Sequence, residues 1–132
     1  MNRSMTGPLL PFQYVVLRCV PRVDREEFLN LGVVLYSQAA DYLCCASQLI
    51  DARLLALAPD LDLDSVQSAL DTVAAICQGD PRLGAAAATS RGQRFGWLAA
   101  PKSTMVQPGP IHGGLAHDPD IELARLLDML VR

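Results

Sequence analysis

The sequence predicts an α+β domain: a mostly antiparallel sheet of about four to five strands, with two to three helices packed mainly on one face. Three observations point there. The first third holds three short runs rich in β-branched, aromatic and cysteine residues, two of them spaced for a hairpin. The middle and the end turn to helical periodicity, and no early connection is long enough for the crossover that parallel strands need.

The first run, FQYVVLRCV at 12–20, is apolar on both alternating faces and is closed by Pro21, as expected of a central strand covered on two sides. The next piece, DREEF, opens with Asp24 and carries Glu27 three residues on, a capping-box pattern that predicts a short helical turn. LGVVLY at 31–36 and YLCCAS at 42–47 flank SQAAD, a suitable hairpin connection. Asp51 is positioned to cap a short helix ended by Pro59. Asp64, with Gln67 three on, is positioned to cap a longer one carrying Val66, Leu70, Val73, Ala74 and Cys77 and closed by Gly79. FGWLAA at 95–100 and STMVQ at 103–107 read as two short strands around Pro101, with Phe95 and Trp97 on one face and hence in the core. Asp118 and Pro119 open a last helix whose leucines, Leu123, Leu126, Leu127 and Leu130, must be covered.

Composition narrows the class. The 132 residues suit one domain spanning 1–132. A hydrophobic share of 51% and a mean hydropathy of +0.22 describe a well-packed chain, slightly apolar for its size. No apolar run approaches the ~20 residues of a spanning helix, and the N-terminal stretch lacks the features of a cleaved leader, so no membrane role and a cytoplasmic location are expected. Cys19, Cys44, Cys45 and Cys77 lie in apolar segments and read as reduced core thiols, the adjacent pair pointing to opposite faces of a strand.

Charge is divided unevenly. Residues 81–117 hold Arg82, Arg91, Arg94 and Lys102 and no acidic residue, whereas the rest has seven basic against fourteen acidic side chains. Glycines 92, 96, 109, 113 and 114 in this segment would let backbone approach an anion, and arginine adds bidentate contacts. The alternative is that these cations pair with the acidic helices of their own domain. His112 lies between the rigid PGP and two glycines and could serve as acid, base or donor. Ser103 is a conceivable nucleophile, although no nucleophile-elbow pattern surrounds it. The spacing of His112 and His117 matches no common metal-ligand pattern, so neither metal nor cofactor is expected. Glu26, Glu27 and Asn30 read as structural. A sequence pI near 5.2 opposes nucleic-acid binding.

Two pieces together resemble the bacterial domain of unknown function family 3037. One is YVVLRCVPRVDREEFLNLGVVLY, within 12–36. The other is RFGWLAAPKSTMVQPGPIHGGLAHDP, at 94–119. The resemblance implies no settled activity. What it implies is a partner-binding role, since family members tend to be encoded near kinase-like proteins.

The reading that follows is a small module binding a partner protein or an anionic ligand through 91–117, with Arg91, Arg94, Lys102, Ser103, Gln107 and His112 as contacts. Two alternatives stand beside it. One is an enzyme acting on a phosphate-containing substrate with His112 as acid/base. The other is a structural homo-oligomer subunit that buries the C-terminal leucines between chains.

Overall fold

A computed structural model of the chain describes residues 7–132 and, at 86 and 87, the backbone alone. The opening MNRSMT, part of the stretch judged not to be a leader, lies outside the described residues. Among the described residues, five strands form one antiparallel sheet: β1 (Leu10–Cys19), β2 (Leu29–Ser37), β3 (Tyr42–Ser47), β4 (Val106–Pro108) and β5 (His112–Ala116). Four α-helices accompany them: α1 (Asp51–Leu57), α2 (Leu63–Gln78), α3 (Arg91–Ala99) and α4 (Pro119–Leu130). The α+β expectation is met, with one helix more than the two to three foreseen.

The strand order is β3-β2-β1-β4, and β5 also pairs with β1. β1 is central because both of its edges are used. β2 takes one edge along Gln13–Cys19, while β5 and β4 share the other, opposite Leu10–Tyr14 and Leu17–Cys19 respectively. Its side chains therefore meet a core on each face. Val15, Leu17 and Cys19 pack with Leu54 of α1, Val66, Leu70 and Ile76 of α2, and Phe95 and Leu98 of α3. On the other side Phe12 joins Val33 and Leu35 under Leu123, Leu126 and Leu127 of α4. Each fully buried leucine contributes roughly 1.5–3 kcal/mol of hydrophobic stabilisation, so α4 is held by its own chain. The leucine stripe that motivated the homo-oligomer alternative is already covered.

A bulge opposite Leu17/Arg18 leaves Leu31 without a partner residue on β1. Leu31 thereby joins Val34 in the α2-side core instead of following Val33 to the other face. Cys45 and Cys44 do face opposite cores as expected, and all four cysteines are free.

Several local expectations are corrected. FGWLAA is not a strand. Ser90 and Gln93 form a capping box at the head of α3: the Ser90 hydroxyl accepts from the Gln93 backbone N–H, and the Gln93 side chain accepts from that of Ser90. On a helix, Phe95 and Trp97 stand about 200° apart. Phe95 is buried against Tyr36, ring centroids 5.3 Å apart, while Trp97 is 54% exposed. The cap of α2 is Asp62 rather than Asp64, accepting from the N–H groups of Asp64 and Ser65. α1 has no side-chain cap, and Asp51 is its first residue. Asp24 and Glu27 form no capping box, being paired with Arg22 and Arg25 around a single 3-10 turn. Of STMVQ only Val106 and Gln107 enter a strand. Gly79 (φ 67°) and the Asp118 cap of α4 stand as predicted.

Candidate functional site

The second edge of β1 is filled by one interrupted strand. β4 and β5 are joined through Gly109, Pro110 and Ile111, and the Gly109 N–H donates to the Val16 carbonyl at 2.8 Å, so the chain stays tethered across the gap. Pro108 and Pro110 lack the N–H that a continuous ladder would need, a common way of blunting a sheet edge.

Into this gap comes Arg18, the one charged side chain of the central strand. It is half-buried, faces the sheet opposite Gln107, and its guanidinium carbon lies 4.0 Å from the centroid of the Phe28 ring. The space it fills exists because residue 109 is glycine: a Cβ there would stand 2.6 Å from Nη2. The nine arginines among the described residues divide sharply. Arg22, Arg25, Arg82, Arg91, Arg125 and Arg132 pair with carboxylates, and Arg53 and Arg94 donate to backbone carbonyls. Arg18 alone has neither kind of partner among the described residues, and its Nε is buried.

Beside it is a cavity of about 320 Å³ lined by Arg18, Ala99, Pro101, Lys102, Gln107 and the Pro108–Ile111 turn, with no carboxylate in its wall. The Lys102 ammonium donates to the carbonyls of Trp97 (2.6 Å) and Ala100 (3.1 Å), which fixes it at the C-terminal end of α3, where a cation is favoured. One of its three N–H groups remains for a ligand. Partial burial holds its pKa below the usual lysine value. The Gln107 amide donates to the Thr104 carbonyl at 2.8 Å and ties the approach to β4 to the cavity rim. Two cations with spare donors, in a wall free of negative charge, suit a carboxylate or a phosphate.

The other predicted contacts lie elsewhere. Arg94 is 9% exposed and donates to the Cys77 carbonyl at 3.3 Å and to that of Thr89, joining α2 to the entry of α3. Arg91 is paired with Asp41 at 2.7 Å and Arg82 with Asp80 at 2.6 Å, so much of the basic segment is neutralised within the domain. Ser103 is exposed in the loop before β4 and does not line the cavity. His112 is also exposed. It stacks on Tyr14, its register partner, with ring centroids 5.1 Å apart. Tyr14 and Arg18 are four residue steps apart along β1, roughly 13 Å of strand, so His112 and the Arg18 cavity are separate places. His117 begins the turn after β5 with a buried, unpartnered Nδ1. No group of three metal-ligating residues forms among the described residues.

The segment's glycines act through their lack of bulk. Gly92 makes room for the Tyr36 hydroxyl and Gly114 for the Phe12 ring, as Gly109 does for Arg18. Asn30 donates to the Leu130 carbonyl at 3.0 Å and so joins β2 to α4, in keeping with a structural role. A larger hollow of about 720 Å³ lies between the 3-10 turn and the α1–α2 connection, but Arg22 and Arg25 there are already paired with Asp24 and Glu27.

Of the residues lining this cavity, the sequence singles out Lys102 and Gln107 but not Arg18, which lies some 80 residues before them. The available signal was its presence in the middle of VVLRCV, where a charge needs a reason. No helix among the described residues is long and apolar enough to cross a membrane. No curated protein and no solved structure matches the chain. The sequence profile of one family matches residues 14–131, nearly the whole sheet and all four helices, and the chain therefore belongs to the family described as protein of unknown function (DUF3037).

Proposed function

We propose that the domain is a binding module that takes an anionic group, a carboxylate or a phosphate, between Arg18 and Lys102 at the interrupted sheet edge. The observation that carries this reading is the guanidinium of Arg18, which has no hydrogen-bond or ion-pair partner among the described residues. Arg18 is half-buried and its Nε is buried without a partner, which is costly, yet no carboxylate is placed beside it. The planar fork offers two parallel N–H groups to a carboxylate or phosphate, Lys102 adds a point charge, and Phe28 covers the guanidinium.

The contact set is accordingly Arg18, Lys102 and Gln107. Arg91 and Arg94 are occupied within the fold, and a role for Ser103 or His112 as a catalytic pair has no geometry to support it. Titration of ¹⁵N-labelled protein with inorganic phosphate and with succinate tests the reading. The expected result is a saturable shift of the Arg18 Nε–H and Gly109 amide resonances, weakened at least about tenfold in Arg18→Gln, as loss of a charge-assisted hydrogen bond implies. An unchanged titration in Arg18→Gln would overturn it.

A further inference from the structure

The ligand's chemistry is constrained by what adjoins the cavity. On the other side of Lys102 runs an apolar groove of about 400 Å³ between α2 and α3, walled by Val66, Ala69, Val73, Trp97, Met105 and Val106 and containing no carboxylate. Lys102 lines both spaces. Its ammonium lies 4.9 Å from the centroid of the Trp97 ring and is held by two carbonyls, so the groove ends in a positive charge of fixed position. Trp97 is exposed at the lip although its helix buries Phe95 and Leu98. An aromatic anchor beside a cation, along an apolar channel between helices, suits an amphipathic segment that presents apolar side chains on one face and carboxylates beside them.

We infer that the anion taken by Arg18 and Lys102 is a carboxylate side chain of an amphipathic acidic segment of a partner protein, whose apolar face lies in the α2–α3 groove against Trp97. This rests on the anion-binding reading and names its ligand. Charge complementarity selects the acidic partner: the groove's fixed charge is Lys102, and the cavity beyond it adds Arg18 without a counter-charge. A second copy is a poor occupant, because the chain's own amphipathic helix α4 already has its leucines buried on the sheet.

Trp97 is the only tryptophan, so its fluorescence reports the groove directly. The full chain is titrated with three synthetic peptides of about 16 residues, long enough to cover such a groove as a helix. One carries leucines on one helical face and glutamates at the positions flanking that face, the second replaces each leucine by serine, and the third replaces each glutamate by glutamine. The first is expected to give a saturable blue shift, with affinity at least about tenfold above either control. Thr72→Glu places a like charge at an exposed groove position, where the core is not disturbed, and is expected to weaken the first peptide comparably. If the serine peptide binds as well as the first, or if no peptide shifts Trp97 while phosphate still titrates Arg18, the inference fails and the anion site stands. Equal binding by the glutamine peptide, with no response of Arg18 to phosphate, removes both. A saturable shift with an oligothymidylate and none with the first peptide also overturns the inference.

Discussion

Arg18 and Gly109 share one volume of space. They stand on neighbouring strands, and the guanidinium Nη2 lies 2.6 Å from where a Cβ on residue 109 would be. The clash would fall on the free end of a long side chain rather than on backbone, so the guanidinium can move aside.

Gly109→Ala is therefore expected to change stability by less than about 1 kcal/mol, below the usual overpacking cost, while weakening the phosphate response as far as Arg18→Gln does. Urea denaturation alongside the same titration checks both halves. Full retention of the phosphate response would show that Arg18 does not need this position.

Arg94 is expected to behave in the opposite way. Arg94→Ala removes the donor to the Cys77 and Thr89 carbonyls at a buried position, costing about 1–3 kcal/mol. Phosphate binding by the folded fraction should be unaltered. A variant of normal stability that no longer binds would make Arg94 a ligand contact after all.

Gly32 is a position where backbone cannot yield. A Cβ there would meet the Ala46 carbonyl oxygen at 2.6 Å and the Ser47 Cβ at 2.8 Å across the β2–β3 pair. Gly32→Ala is expected to destabilise by about 1–3 kcal/mol, read as a lower urea midpoint. An unchanged midpoint would mean that the two strands lie farther apart.

The Asp80 carboxyl is held at about 2, below its ordinary 3.8, chiefly by the hydrogen bonds from the Arg82 side chain and backbone. A carboxyl depressed in the folded state contributes stability that is present above its unfolded pKa and is lost as pH falls through the folded value. Thermal midpoints of wild type and Asp80→Asn should thus converge between about pH 4 and pH 2 and differ by a constant amount above that window. A difference that persists undiminished at pH 2 would contradict this assignment.

How much of this was legible beforehand varies by element. β1, β2, β3, α2 and α4 declare themselves because their apolar spacing extends over several residues and their ends carry local signals such as Pro21, Gly79 and Asp118-Pro119. α3 is not legible in this way because FGWLAA is short, and apolar spacing over six residues fits a strand as well as a helix. The deciding signal, Ser90 with Gln93, lies upstream of it. β5 carries no strand signal of its own because Gly113 and Gly114 read as loop, and only pairing with β1 makes a strand of them.

By itself the sequence determined the α+β class, four free thiols in apolar segments, the family, and a segment rich in cations without acids. Tertiary structure decided what most of the cations meet. Arg82 pairs locally with Asp80, two residues before it, but Arg91 meets Asp41 and Arg94 the Cys77 carbonyl only through contacts made by folding, and Arg18 is brought from the first strand to Lys102 and Gln107 by strand pairing across the sheet. Spacing along the chain carries local conformation, because that depends on neighbours a few residues away. Which charges remain unpaired depends on neighbours in space.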